Sequence, residues 1–199
     1  MTAHIHNKKD LRSFISYEKQ LYGAKHASIG FTPVYSERSM IWRFISLLRY
    51  EEYHLNCKHR LCSLWFKYRR VKLGRRIGFN IGPNTIDKGF LMYHVGSVLI
   101  NAENIGRNFS CNINCALIAG GHDSGHPTLG NNVILGYGTV VCGKVSIADG
   151  VAVGACSFVN KSVLEPNICV AGSPAKKISN NGSSTWGGMK PFEQIKQLD

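Results

Sequence analysis

Residues 129–164 read, in sixes, LGNNVI, LGYGTV, VCGKVS, IADGVA, VGACSF and VNKSVL. An aliphatic residue opens each six: Leu129, Leu135, Val141, Ile147, Val153 and Val159. The next residue is small or polar, with Gly130, Gly136 and Gly154 the plainest cases. A helix repeats every 3.6 residues and a flat strand every two, so neither accounts for a period of six. The period fits a parallel β-helix, in which each six is one face of a triangular prism and three sixes make a coil. The aliphatic leaders then point inward and stack in a column, and the small residue after each fits a tight corner.

Traced back from Leu129, the same phase reaches Ile81. Fourteen hexads fill residues 81–164, and the leading residue is apolar in all but Asp87 and Asp123. The hexad DSGHPT (123–128) has a polar leader, and Pro127 stands where a strand should run. It adds one whole repeat, so the phase survives on both sides. Residues from about Gly120 to Thr128 are therefore expected as a loop ejected from the prism, where chemistry concentrates on a rigid scaffold. The coil is expected to end near Glu165-Pro166, with AGSPAKKI (171–178) closing it. The expected organisation is a basic, largely helical region at 1–78, a mainly β prism at 79–178 and a tail at 179–199, flexible or packed across a subunit.

The chain has 199 residues and a formal net charge of +12. Residues 1–78 carry 16 Lys/Arg against 5 Asp/Glu, and residues 79–199 carry 8 against 7. The charge thus belongs to an appendage on a nearly neutral body. Residues 1–38 read as short helix or loop. A helical pattern starts near Ser39, a candidate N-cap, with Ile41, Phe44, Ile45 and Leu48 on one face. A second helix is expected from about Cys57 to Lys72, ending before Gly74. It interleaves Lys58, Arg60, Lys67, Arg69, Arg70 and Lys72 with Leu61, Leu64, Trp65, Phe66 and Tyr68. Such a basic amphipathic helix suits anionic lipid headgroups or an anionic polymer, and suits equally a helix packing its aromatics on its own body or a partner subunit. No nucleic-acid motif accompanies it. No stretch reaches the roughly 18 apolar residues of a membrane span, and the N-terminus lacks the apolar segment of a secretory signal. Seven cysteines without CxxC spacing are expected as reduced thiols in the cytoplasm, with no metal site.

A hexapeptide prism holding GGHDSGHPTLG and closing with AGSPAKKI resembles the left-handed β-helix acyltransferases. Within these it is most similar to the serine acetyltransferase branch and the related sugar and capsule O-acetyltransferases. The resemblance covers residues 78–178. It implies a left-handed coil, a homotrimer, acetyl-CoA as acyl donor without a metal, and active sites in clefts between neighbouring prisms.

By motif, His94 in Tyr93-His94-Val95-Gly96 matches the family's general base, and His126 in Gly125-His126-Pro127 matches its loop histidine. His122 is the alternative on the same loop. An alcohol attacks a thioester poorly until its proton is removed, and imidazole is suited to take it near neutral pH. Gly120-Gly121 would offer oxyanion-binding N–H groups. No acyl-enzyme is needed, so Cys111, Cys142 and Cys156 are expected in packing positions. The resemblance places coenzyme A against Gly136, Tyr137, Ala155, Asn160 and Lys161, with Lys176 and Lys177 meeting its phosphates.

This chain departs from the serine enzymes around the acceptor. It has Asn80-Ile81-Gly82-Pro83 for Asp-Ile-His-Pro, Tyr93 for the Asp before the base, and Gly125 for the Arg before the loop histidine. The first and third departures remove charges that would recognise an ammonium and a carboxylate, and a site without them cannot easily pair a zwitterion. These departures favour a carbohydrate acceptor, a sugar of a bacterial surface polysaccharide, bound by Asn80 and Tyr93 near Gly125. The alternatives are L-serine as acceptor and a non-catalytic scaffold. The expected location is cytoplasmic, at the inner face of the membrane if the basic helix touches lipid.

Overall fold

A computed structural model of the chain describes residues 5–22, 36–121 and 124–196. Three helices come first: α1 (Lys8–Leu21), α2 (Glu37–Asn56) and α3 (Arg60–Ile77). Asn7 caps α1 by accepting from the Lys9 and Asp10 N–H groups. Ser36, three residues before the expected Ser39, caps α2. The expected stop of α3 at Gly74 is also corrected. The helix runs through Gly74, where a Cβ would meet the Phe79 carbonyl oxygen at 2.5 Å, and ends at Gly78 in a left-handed conformation.

The prism follows at once. Its first face stacks β1 (Phe79–Ile81), β3 (Val98–Ile100), β6 (Ala116–Ile118), β9 (Val140–Cys142) and β12 (Phe158–Val159), all parallel. The second holds β4 (Asn104–Ile105), β7 (Thr128–Leu129) and β10 (Ser146–Ile147). The third holds β2 (Leu91–Met92), β5 (Ser110–Cys111), β8 (Ile134–Leu135), β11 (Ala152–Val153) and β13 (Cys169–Ala171). An antiparallel β14 (Lys176–Ser179) closes it.

The register gives the inward columns. They are Ile81, Ile100, Leu117, Val141 and Val159 on the first face; Ile86, Ile105, Leu129, Ile147 and Val163 on the second; and Met92, Cys111, Leu135, Val153 and Val170 on the third. From Ile105 onward these match the expected phase, except at the end. In the first coil they do not: Ile86, Met92 and Ile100 point inward in place of Asp87, Tyr93 and Leu99. The steps between inward residues there are five, six, eight and five, and the phase is restored at Ile105. An apolar column excludes a carboxylate, so the coil shortens to seat Ile86 and then bulges around Tyr93 and His94. Of the described residues around the expected loop, 119–121 and 124–127 lie outside any strand, and Thr128 already pairs with Asn104 and Ser146 in the second face.

The helices seal the open first coil. Ile41, Phe44, Ile45 and Leu48 of α2 share one buried cluster with Phe79 and Ile81, and Phe44 meets Phe79 edge to face at 5.3 Å. Arg49 is buried beneath them. It pairs with Glu18 at 2.6 Å and Glu52 at 2.9 Å, and donates to the carbonyls of Ile86 and Asp87. Burial opposes its charge, but the two carboxylates outweigh that and hold its pKa raised. Arg70 of α3 ties Glu51 to the Ile81 carbonyl in the same way. Two of the basic residues counted as surface charge are thus internal fasteners.

The tail is folded on its own chain. Ser183 donates to the Asn132 carbonyl, Gly188 lies over Ile134, and α4 (Lys190–Lys196) buries Phe192 and Ile195. It covers the outward side of the third face. Cys111 is buried in its column and Cys142 is half-buried, but Cys156 is exposed at a corner with φ +55°, not a packing filler.

Candidate active site

The coil passes from third to first face at one edge, and from first to second at another. Tyr93 and His94 lie on the first of these edges, between β2 and β3. Gly136 and Tyr137 lie on it between β8 and β9, and Ala155 between β11 and β12. Gly125 and His126 lie on the second edge, in the loop between β6 and β7, and Asn160 and Lys161 lie there beyond β12. Asn80 is exposed on the first face itself, in register with Leu99. The candidates therefore border one face from both sides, and the two histidines stand across it. His122 lies outside the described residues.

His94 is exposed, and its place differs from that expected. Because Met92 is the inward residue, Tyr93 follows it, and His94 occupies the added bulge rather than the small corner position. The bulge rests on the end of α3, where Gly96 N–H donates to the Ile77 carbonyl. The His94 Nδ1 lies 3.1 Å from Glu37 Oε2, in the first turn of α2. A proton on Nδ1 donated to Glu37 leaves the Nε2 lone pair facing outward, the form a base requires. Beside Glu37, the Arg38 guanidinium bears electrostatically on Tyr93, opposing the rise that burial gives the phenol pKa. Tyr93 donates to the Gly188 carbonyl at 3.2 Å, so the C-terminal segment reaches this edge.

Glu37 and Arg38 were not expected here. They stand 57 and 55 residues before their partners, and an acid in a first helical turn reads as ordinary dipole compensation.

His126 is half-buried, and its Nδ1 is shielded from solvent without a hydrogen-bond partner among the described residues. Buried polar atoms are rarely left so. Gly125 packs against Lys144, where a Cβ would meet the lysine stem at 2.5 Å; close packing accounts for the glycine.

On the first edge, a Cβ on Gly136 would meet the Ala155 nitrogen at 2.7 Å, so glycine is required for the coils to stack. Tyr137 is exposed and its hydroxyl accepts from Asn114 at 2.7 Å. Ala155, with its short side chain, is exposed beside it. Asn160, Lys161 and Lys176 are exposed; Lys177 is paired with Glu165 at 2.5 Å. Gly136 and Ala155 thus give this edge a column of small residues, with Lys161 on the opposite edge and Lys176 on the closing strand.

A hexapeptide-repeat β-helix with a helical N-terminal region and a carboxylate–histidine pair at one edge is the class these features define. No protein-family model matches the sequence. The structure resembles the serine acetyltransferase of Brucella abortus strain S19, with a TM-score of 0.69 at 20% identity, over 88% of this chain and 72% of that one. It also resembles the soybean apoenzyme, with a TM-score of 0.67 at 23% identity, over 86% and 70%. These likenesses show the fold, the left-handed hexapeptide form. In sequence the chain is 29% identical over 130 residues to the serine acetyltransferase of Buchnera aphidicola subsp. Acyrthosiphon pisum (strain APS), covering 65% of this chain and 41% of that protein. It is 28% identical over 148 residues to the serine acetyltransferase of Bacillus licheniformis, covering 68% of each. The chain spans less than half the length of the first of these. Both of these relatives are named serine acetyltransferases, and neither name mentions a polysaccharide.

Proposed function

We propose that this chain is an acetyl-CoA-dependent O-acetyltransferase whose acceptor is the hydroxyl of L-serine. The observation that carries the reading is the His94–Glu37 pair at an exposed prism edge, in line with the donor column at Gly136, Tyr137 and Ala155. Bound acetyl-CoA would supply a thioester carbonyl carbon. His94 Nε2 would take the acceptor hydroxyl proton as that oxygen bonds to the carbonyl carbon. The carbon–sulfur bond breaks as the tetrahedral centre collapses, and the same imidazole returns the proton to the thiolate. Backbone N–H groups at Gly120-Gly121 would face the oxyanion.

Arg38 bears on the acceptor. Its charge stands beside Tyr93, where the motif itself carries none, and a guanidinium can meet the carboxylate end of a zwitterion, while Glu37 is engaged by His94. The carbohydrate reading rested on the absence of such charges. It remains a second reading because Asn80 and Gly125 still replace charged residues of the serine enzymes.

A homotrimer is part of the proposal. The outward side of the first face carries Leu99, Ala116, Val140 and Phe158 partly open, whereas the second presents Asn104, Thr128 and Ser146, and the tail covers the third. The open apolar face lies between the two edges that carry the histidines. Packing it against neighbours would bring His94 of one copy toward His126 of another and give the orphaned Nδ1 a partner.

The test is release of free thiol by purified protein given acetyl-CoA with L-serine, or with acceptor sugars. Turnover with serine, reduced by about two to four orders of magnitude in His94→Ala, is expected. Turnover with sugar alone would replace serine by the second reading. Release unaffected by His94→Ala and His126→Ala together would overturn the mechanism.

A further inference from the structure

The outward face of α3 is unlike the rest of the surface. At 100° per residue, Leu61, Leu64, Trp65 and Tyr68 fall in one stripe, opposite the buried Arg70, Gly74 and Ile77. They are 83%, 60%, 52% and 63% exposed, a contiguous apolar surface that the described residues leave open. The helix contains no acidic residue. Arg60, Lys67, Lys72, Arg75 and Arg76 are exposed around or beyond the stripe, while Arg70 alone is buried in an ion pair. Arg69 lies over the Trp65 ring at 4.5 Å and Lys72 near the Tyr68 ring at 5.8 Å. These cations lay their stems along the aromatic surface and carry their charge at its border.

We propose that this face of α3 docks on an anionic lipid surface, seating Leu61, Leu64, Trp65 and Tyr68 among the headgroups and acyl-chain ends while the flanking cations pair with lipid phosphates. Two features together select this occupant. A soluble polyanion would match the cations but leave four large apolar side chains in water. A second copy presenting the same face would match the apolar stripe but set like charges against each other. An anionic bilayer interface satisfies both, and Trp and Tyr are the side chains that favour that depth. No helix among the described residues is long and apolar enough to cross a membrane, so the association is peripheral. The inference rests on α3 alone and stands whether or not the acetyl-transfer reading holds.

The experiment is co-sedimentation of the full chain with vesicles of phosphatidylcholine, with and without about a third phosphatidylglycerol. Binding to the anionic vesicles only, weakened by salt, is expected. Lys67→Gln with Lys72→Gln and Arg75→Gln lowers the partition coefficient by on the order of a hundredfold. Leu64→Ser with Trp65→Ser lowers it by at least tenfold while far-ultraviolet circular dichroism stays unchanged. Because the chain has other tryptophans, quenching by spin-labelled lipid is compared between the native chain and Trp65→Phe; loss of most quenching in the variant is expected. No binding to anionic vesicles would overturn the proposal. So would retention by a single-stranded polynucleotide that survives loss of the apolar stripe, or a fall in oligomeric mass of Leu64→Ser/Trp65→Ser without lipid. The former would make the partner a polyanion and the latter a second copy.

Discussion

In the proposed mechanism a single carboxylate decides which nitrogen of His94 acts as the base. Glu37 touches only the imidazole, so its role is positioning. Glu37→Gln is expected to lower kcat by about ten- to a hundredfold with KM little changed, and Glu37→Asp to recover part of the loss. A merely structural role would instead lower thermal stability and leave the kcat-to-KM split unmoved. Gly136 is decided by space. Gly136→Ala pushes a methyl into the Ala155 backbone nitrogen of the next coil, a contact that backbone cannot evade cheaply. The expected cost is about 2–4 kcal/mol, read as a fall in the denaturant midpoint.

Between elements, the junction of helices and prism depends on buried charge. Arg49 serves two carboxylates and two coil carbonyls at once, so Arg49→Met leaves Glu18 and Glu52 uncompensated in the interior. A loss of about 3–5 kcal/mol is expected in equilibrium unfolding. This junction also marks where sequence reading stops. Residues 129–159 were legible because identical steric demands recur every coil, and repetition makes one register stand out. The first coil was not, because its five, six, eight and five steps sum to a phase that looks unbroken on paper. Of the two polar leaders, Asp87 marked the shortened coil and Asp123 the ejected loop, whereas Tyr93 passed as an ordinary apolar leader and gave no sign of being outward. The motif singled out His94, whose role as base belongs to the proposal. Glu37 was not legible, since the pairing depends on how α2 meets the prism, a tertiary fact that spacing along the chain does not encode.

For the molecule as a whole, the C-terminal segment is structural. It lays Met189, Phe192 and Ile195 against the third face and α1, all buried. Deleting residues 182–199 should expose Ile134 and Leu91, lower the melting temperature by several degrees, and raise dye binding to apolar surface. The two termini of the prism carry a further consequence. A parallel coil would ordinarily offer a naked strand edge at each end, inviting another molecule to continue the stack indefinitely. Here the first rung is shut by α2 and the Arg49 guanidinium, and the last by a strand running the opposite way with Lys176 and Lys177 on it. Both devices deny a template to an incoming rung, so the same repetition that builds the spindle does not propagate into a fibre.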